Sequence, residues 1–326
     1  MVSFLLEALK DASPSAPGFL PKDYPDLSDK IALITGSSSG IGYETAKALL
    51  KQNATVIMVN RNQEKVLDSV AKIKKELVDM DLDSKIYLIQ ADLSDLTTIK
   101  PAVEKFFANN SQFDKLHYSI YNAGVMRPPK DSFSKQGYEL QIGTNVLGHH
   151  LLNKLIEPLI INGVDAKQNF IPRVIWLASI AHFASPANGG INWESFKDGE
   201  FGQSRAAYGQ SKTGNIYQSY VQSTRLKNHG VISLSVHPGY LASDLSRSLG
   251  SVGDYIWKTV TYPPVYGSYS VLFGALNPDI ELKDSGRYIG PWGQFKELRD
   301  DINQGLADGT ASKFEQWADE QVKPYL

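Results

Sequence analysis

Two polar residues, Tyr208 and Lys212, stand four positions apart in the segment AAYGQSKTGNIY. The apolar spacing around them is helical, so both side chains leave one face of a helix. An ammonium beside a phenol favours the phenolate, which would lower the tyrosine pKa from its usual value of about 10. Such a tyrosine can give a proton to a carbonyl oxygen or take one from an alcohol. For this spacing alone, a surface pair is the alternative.

A glycine-rich segment, TGSSSGIG at 35–42, follows a short apolar run and precedes a helical pattern. Glycines at Gly36, Gly40 and Gly42 allow the backbone to approach a ligand closely. Pyrophosphate binds at a turn of this kind, where a strand leads into the N-terminus of a helix. The spacing differs from G-x-G-x-x-G, and a tight turn without a ligand is the alternative.

The segment MVNRN, at the predicted end of the second strand, bears on the choice of nucleotide. In NAD-binding folds an acidic residue about 20 positions after the glycines bonds the ribose hydroxyls. Here Asn60 and Arg61 occupy that place, and a guanidinium can bind a phosphate bidentately. The sequence therefore favours NADP(H) over NAD(H). The alternative is that Arg61 only begins a solvated helix.

A regular alternation of strands and helices is expected to position these residues. Apolar runs predict strands at 31–35, 55–60, 86–91, 117–121, 174–179 and 232–237, with a weaker seventh at 287–290. Helical spacing occurs between them, for example at 41–51, 64–80 and 97–107. This order predicts an α/β fold: a single doubly wound Rossmann domain with a parallel, seven-stranded sheet and helices on both faces. We expect the domain to span 29–326.

The composition excludes several classes of protein. The 326 residues include 42% hydrophobic and 21% charged residues, which is ordinary for a globular protein. A formal net charge of −2 argues against a nucleic-acid surface. There is no cysteine, so thiolate metal sites are excluded, and the adjacent His149 and His150 face different directions on a helix, so we expect no metal.

The N-terminal arm, expected at 1–28, begins with an apolar segment and carries four prolines between Pro14 and Pro25. We expect the arm to pack on the domain, and weak attachment to a lipid surface is the alternative. No apolar run approaches the roughly 18 residues of a membrane span, and the start lacks a signal-peptide pattern. The cytoplasm is therefore the expected compartment.

These motifs together resemble the short-chain dehydrogenase/reductase family. TGSSSGIG is similar to the family's TGxxxGxG, ADL at 91–93 to its adenine-pocket segment, NAG at 122–124 to its fourth-strand motif, and YGQSK at 208–212 to its YxxxK. Further matches are Asn145, Ser179 and the segment HPGY, all in the family's order. Within the family, the chain looks most like the retinol-dehydrogenase-like and carbonyl-reductase-like branch.

The resemblance implies four catalytic residues. Tyr208 would be the general acid or base, and Ser179 would orient the substrate oxygen. Lys212 would lower the pKa of Tyr208 and hold the nicotinamide ribose. Asn145 would bind, through its main-chain carbonyl, a water that connects Lys212 to solvent.

The resemblance also implies where NADP(H) would bind. The glycine turn would hold the pyrophosphate, Arg61 the adenosine phosphate, and the segment after the sixth strand the nicotinamide. In chain order, the expected contacts are Gly36, Ser38, Gly40, Ile41, Gly42, Arg61, Asp92, Leu93, Asn122, Ala123, Gly124, Tyr208, Lys212, Pro238, Gly239 and Ser243.

The family's substrate lid would correspond to 240–266, which is rich in apolar and aromatic residues. This composition favours a hydrophobic or aromatic ketone or aldehyde, or the matching alcohol, with core packing as the alternative. We expect an NADP(H)-dependent oxidoreductase. The alternatives are a retinoid, steroid or lipid dehydrogenase, and a non-catalytic NADP(H)-binding sensor. Whether the protein is a monomer or a homo-oligomer is left open by the sequence.

Overall fold

The structure, a computed structural model, describes residue 11, residues 13–242 and residues 261–326. Outside the described residues lie Ser243, most of the predicted lid at 240–266, and residues 1–10 and 12 of the predicted arm.

The described strands form one sheet in the order β3-β2-β1-β4-β5-β6-β7-β8. All neighbouring strands are parallel except β7 and β8, which are antiparallel. The strands are β1 Ile31–Thr35, β2 Thr55–Asn60, β3 Ile86–Gln90, β4 Tyr118–Tyr121, β5 Arg173–Leu177, β6 Ile232–Val236, β7 Tyr288–Gly290 and β8 Gln294–Lys296. The seven predicted strands are thus present, and β8 is an eighth that the sequence analysis missed because three residues are too few for a periodic pattern.

Helices join the strands and continue beyond β8. They are α1 Gly40–Lys51, α2 Gln63–Glu76, α3 Ile99–Asn109, α4 His149–Asn162, α5 Arg205–Leu226, α6 Pro264–Leu276, α7 Asp300–Ala307 and α8 Thr310–Val322. A π-helical segment, Ile142–Gly148, leads directly into α4. Helix α5 begins after Ser204, whose hydroxyl accepts a hydrogen bond from the N–H of Ala207 at 3.0 Å and caps the helix.

Both faces of the sheet are covered, because successive side chains of each strand point to opposite sides. In β1, Leu33 belongs to the core under α3, α4 and α5, whereas Ile34 belongs to the core under α1 and α6. Six of the eight described strands are buried along nearly all of their length, as expected of a parallel sheet between two helical layers, whereas the edge strands β3 and β8 are mostly half-buried. The predicted α/β doubly wound Rossmann fold is confirmed.

Helix α8 packs against α5 and α4. The ring of Phe314 lies so close to α5 that a Cβ atom at Gly214 would be 2.7 Å from its Cζ. On α4, the side chains of His150 and Lys154 each lie 2.7 Å from a carboxylate oxygen of Asp319. The C-terminal helix is therefore part of the same packed structure as the helix that carries the YxxxK motif.

The described part of the predicted arm packs on the sheet's second helical layer. Phe19, Tyr24 and Leu27 are buried, and the ring of Phe19 packs edge-on against Phe273 of α6 at 6.2 Å between centroids. Among the described residues, no helix is long and apolar enough to cross a membrane.

Candidate active site

A cavity of about 570 Å³ opens at the carboxyl ends of β1, β2, β4 and β5. Parallel α/β sheets bind ligands at this edge, beside the point where the strand order reverses. The predicted cofactor residues that line the cavity are Gly36, Ser38, Gly40, Ile41, Arg61, Asp92, Leu93, Asn122, Ala123, Gly124, Tyr208, Lys212 and Pro238.

The glycine turn joins β1 to α1. Gly36 and Gly40 have φ values of 67° and 58°, in the left-handed region that glycine adopts at no steric cost. A Cβ atom at Gly42 would lie 2.3 Å from the carbonyl oxygen of Gly36, so this glycine does not line the cavity but allows the turn to fold back on α1. The turn therefore presents main-chain groups to the cavity at the N-terminus of α1.

Asn122, after β4, holds the glycine turn in place. Its side-chain Nδ2 donates to the carbonyl oxygens of Thr35 at 2.9 Å and Gly36 at 3.1 Å. The hydroxyl of Thr35 accepts from the main-chain N–H groups of Asn122 and Ala123, each at 2.9 Å. Two neighbouring strands are thereby joined at the floor of the cavity.

The adenosine end of the predicted site is basic and polar. The exposed Arg61 begins the segment after β2, and the side chain of Asn60 donates to the hydroxyl of Ser37 at 2.8 Å. Lys65 and Lys72 of α2 also line this end, although the sequence analysis did not single them out. Helical spacing after Arg61 could have indicated Lys65, because residues four apart lie on one face of a helix.

Ser179 and Tyr208 are brought together at the other end of the cavity. β5 ends at Leu177, two residues earlier than predicted, and Ser179 caps the following turn by accepting from the N–H of Ala181 at 3.1 Å. Tyr208 lies near Ser179, whose hydroxyl lowers the pKa of the phenol. The two hydroxyl groups therefore lie close together beside the cavity.

Lys212 lies on the same helix as Tyr208, with Nζ 5.7 Å from the centre of the phenol ring. Burial lowers the pKa of Lys212 to about 7. Burial also raises the pKa of Tyr208 to about 12, although the nearby hydroxyl of Ser179 lowers it. The direction for Tyr208 is opposite to our expectation, because desolvation disfavours the phenolate more than its neighbours stabilise it.

Asn145 lies in the π-helical segment and is fully buried. Its side chain accepts from the N–H of Val125 at 2.8 Å and donates to the carbonyl of Val125 at 2.9 Å. Its main-chain carbonyl accepts from Nδ1 of His149 at 3.0 Å and from Nδ2 of Asn215 at 2.8 Å. These two donors use both lone pairs of the carbonyl. The water-binding role of Asn145 stays a prediction.

The segment after β6 borders the cavity through Pro238. Gly239 has a φ of 93°, and a Cβ atom there would lie 2.8 Å from the indole ring of Trp292. The preceding His237 is buried, and burial lowers its pKa to about 3. His182, after Ser179, bonds the carbonyl of Ser179 through Nδ1 at 2.8 Å.

Several further residues that were not predicted line the cavity, among them Thr144, Val125 and Ser39. Thr144, beside Asn145, is buried, and its hydroxyl has no hydrogen-bond partner among the described residues. Val125 directly follows the NAG motif, and Ser39 directly follows Ser38 in the glycine turn. Each is adjacent to a predicted residue, so motif position alone could have indicated all three.

The two adjacent histidines of α4 do face different directions. His149 points to Thr35 and Asn145, whereas His150 points to α8. The ligand atoms of His150, Glu315 and Asp319 lie within 4.8 Å of one another, in a geometry that a metal could use. Lys154 pairs with Asp319 and Arg225 with Glu315, however, so this cluster is already an ion-pair network.

The chain belongs to the short-chain dehydrogenase/reductase family: a model of that family described as "short chain dehydrogenase" matches residues 30–252. A short-chain dehydrogenase/reductase from Phomopsis amygdali is 35% identical over 99% of this chain and 98% of its own. The family predicted from the motifs is therefore confirmed, while the branch within it stays a prediction.

Solved structures share the fold. An uncharacterized protein from Mycobacterium paratuberculosis has a TM-score of 0.67 and 24% identity, over 94% of this chain and 98% of that chain. An NADPH-bound carbonyl reductase from chicken fatty liver has a TM-score of 0.60 and 18% identity, over 83% and 100%. The family and fold together define an oxidoreductase of the short-chain class.

Proposed function

We propose that the protein is an NADP(H)-dependent oxidoreductase acting on a hydrophobic or aromatic ketone or aldehyde, or on the matching alcohol. The observation that carries this proposal is the placement of Tyr208 at the edge of the cavity, near Ser179, with Nζ of Lys212 at 5.7 Å from the centre of its ring. A proton donor held in this position suits the reduction of a carbonyl group.

The cavity fits a nicotinamide dinucleotide. Its glycine turn, with Gly40 at the N-terminus of α1, suits a pyrophosphate, and a Cβ atom at Gly40 would meet nothing within 4 Å. Asp92 and Leu93 would border the adenine, and Lys212 the nicotinamide ribose. When bound, the dinucleotide supplies or accepts the hydride.

The preference for NADP(H) rests on charge at the adenosine end. Arg61, Lys65 and Lys72 line this end, with Asp68 as an acidic neighbour on α2. A guanidinium and two ammonium groups favour a ligand that carries an extra phosphate. The carbonyl reductase from chicken fatty liver, whose fold is similar, is described as NADPH bound.

Tyr208 is suited to act as the acid in reduction. Because burial raises its pKa to about 12, it holds its proton near neutral pH. Tyr208 would donate this proton to the carbonyl oxygen as the hydride reaches the carbonyl carbon, while Ser179 holds the same oxygen. The ammonium of Lys212 would stabilise the phenolate that forms, and in alcohol oxidation the phenolate would take the proton back.

The surroundings of Gly239 support an apolar or aromatic substrate. Trp292 packs against the rings of Tyr262 and Tyr266 at 5.0 and 5.2 Å between centroids. This aromatic cluster lies directly behind the segment that borders the cavity. Aromatic side chains next to the site favour apolar ligands.

The first experiment follows NADPH oxidation over a panel of carbonyl compounds: small diketones and keto esters, aromatic aldehydes, retinal and a ketosteroid. We expect turnover of small or aromatic carbonyls with NADPH, a much lower rate with NADH, and a shift toward NADH in Arg61→Ser. Tyr208→Phe should lose about 10³-fold or more in kcat and keep its affinity for NADPH.

Other outcomes decide between the alternatives. Activity confined to retinal or the ketosteroid would indicate a retinoid, steroid or lipid dehydrogenase. Binding of NADPH without turnover of any carbonyl would favour the non-catalytic sensor. Turnover that survives in Tyr208→Phe would show that the assigned proton donor is wrong.

A further inference from the structure

The side chain of Ser179 is placed by the chain that follows it, residues 179–190, here called the serine segment. Within it, Ile180–Ala184 form a 3₁₀ turn. The hydroxyl of Ser179 accepts from the N–H of Ala181 at 3.1 Å, and its main-chain carbonyl accepts from the N–H of His182, also at 3.1 Å. Carbonyl groups at the end of such a turn lack N–H partners within it, so they need donors from elsewhere.

Arg299, directly before α7, supplies donors to these carbonyls. Its Nη1 donates to the main-chain oxygens of His182 at 3.3 Å, Phe183 at 3.1 Å and Ser185 at 2.8 Å. Its Nη2 donates to the main-chain oxygen of Pro186 at 2.5 Å. One guanidinium therefore binds four carbonyl groups of the serine segment.

Asp301, in the first turn of α7, orients this guanidinium. Its carboxylate accepts from Nε and Nη2 of Arg299 at 2.5 and 2.8 Å, so the pair is bidentate. The same carboxylate accepts from the N–H of Gly189 at 2.9 Å, and the carbonyl of Gly189 accepts from the hydroxyl of Tyr217 on α5 at 2.6 Å. All five N–H groups of the guanidinium are thus used, and the serine segment is bound to both α7 and α5.

We propose that Arg299 is a positioning residue, which fixes the serine segment against α7 and so holds the hydroxyl of Ser179 where it can bind the substrate oxygen beside Tyr208. This inference rests on the proposed function, in which Ser179 orients that oxygen. Arg299 and Asp301 lie outside residues 30–252, the part of the chain that the family model matches. The motifs therefore give no indication of this role.

The expected effect is on turnover more than on binding. A hydroxyl that is held in place before the substrate arrives does not have to be ordered in the transition state. A looser serine segment should therefore lower kcat more than it raises KM for the carbonyl compound. The affinity for NADPH should stay within about twofold, because the contacts of Arg299 are with the serine segment and Asp301.

The test is Arg299→Lys, which keeps the positive charge and loses the planar fork. An ammonium has three N–H groups and cannot bind four carbonyls and a bidentate carboxylate together. We expect kcat to fall by about tenfold. Arg287→Lys is the matched control, because that guanidinium pairs with Asp284 at 2.9 Å and packs on the ring of Phe295. Its kcat should stay within about twofold of the wild type.

A double-mutant cycle separates positioning of Ser179 from a general structural role. In the Ser179→Ala background, Arg299→Lys should lower kcat by less than about twofold, because the hydroxyl that it places is already gone. A residue that only stabilises the fold would cost the same factor in both backgrounds. Equal factors would therefore overturn the inference.

Hydrogen exchange followed by mass spectrometry tests the serine segment without any substrate. In Arg299→Lys, the amides of residues 180–190 should exchange about tenfold faster or more, whereas those of the glycine turn at 35–42 should not change. If Arg299→Lys fails to fold, Asp301→Asn, which removes the charge that orients the guanidinium, decides by the same cycle and the same exchange. Unchanged exchange would overturn the inference. Faster exchange in a protein that turns over no carbonyl would contradict the proposed function while supporting the hold of Arg299 on the serine segment.

Discussion

The end of the cavity proposed to bind the nucleotide is lined by main chain and exposed side chains, whereas at the proposed catalytic end Asn145 and Lys212 are buried and Ser179 and Tyr208 are partly buried. The glycine turn around Gly40 and the exposed Arg61 represent the first kind. Asn145 and Lys212 represent the second, with 0% and 5% of their surfaces exposed. We infer that substitutions at the first end mainly change affinity, and that substitutions at the second mainly change pKa values and turnover.

His149 connects the two ends. The hydroxyl of Thr35 accepts from two main-chain N–H groups, so its own hydrogen can be donated to Nε2 of His149 at 2.8 Å. Nδ1 of the same ring then carries the proton that bonds the carbonyl of Asn145. The neutral imidazole of His149 therefore bonds both Thr35, at the start of the glycine turn, and Asn145, in the π-helical segment.

The largest expected effect is on stability at acidic pH, and it acts on both ends at once. Burial lowers the pKa values of His149 and His182 to about 4 and that of His237 to about 3. The unfolded chain binds protons at these histidines below a pH of about 6.5, whereas the folded chain does so only near the lowered values. Their contribution to stability is thus complete above pH 6.5 and declines as the pH falls toward the folded values.

Urea unfolding at a series of pH values measures this effect. The free energy of unfolding should fall by up to about 1.4 kcal/mol per pH unit for each such histidine. His149→Asn should flatten the dependence, because it removes one of the buried rings. A flat stability profile between pH 6.5 and 5 would contradict the assignment of neutral buried rings.

The second prediction concerns the catalytic end alone. Ser179→Ala removes the hydroxyl that is proposed to hold the substrate oxygen beside Tyr208, and we expect kcat to fall by about 10²–10³-fold. The affinity for NADPH, measured by fluorescence titration, should stay within about twofold. Ser185→Ala is the matched control, because its buried hydroxyl bonds the carbonyl of His182 on the same segment and touches neither Tyr208 nor the cavity. Equal losses in the two variants would show that Ser179 acts only through the fold.

The third and smallest effect is at the nucleotide end. Gly42→Ala places a Cβ atom 2.3 Å from the carbonyl of Gly36, and we expect a loss of about 1–3 kcal/mol of stability and at least about tenfold in NADPH affinity. Gly40→Ala meets no atom within 4 Å and bears only the strain of a φ of 58°, about 1 kcal/mol. A larger loss at Gly40 than at Gly42 would mean that the turn moves when the dinucleotide binds.

The parts of the molecule that depend on local pattern were predictable from sequence. Periodicity located β1 and β2 with their observed bounds, and the glycine spacing located the turn. Burial of Lys212 and the double use of the Asn145 carbonyl were not predictable, because they depend on contacts such as that with Asn215, 70 residues away. A spacing rule predicts that two groups share a face, but it does not give the dielectric around them.

Helix α8 completes the packing around α5, although it comes much later in the chain. Phe314 of α8 packs against Gly214 of α5, two residues beyond Lys212. Among the described residues, no other aromatic ring lies so close to Gly214. During synthesis, residues 310–322 leave the ribosome after α5, residues 205–226. We therefore expect α5 to gain its final packing only once residues 310–322 have been made, so that a chain truncated before residue 310 would keep the glycine turn and still lack a working proton donor.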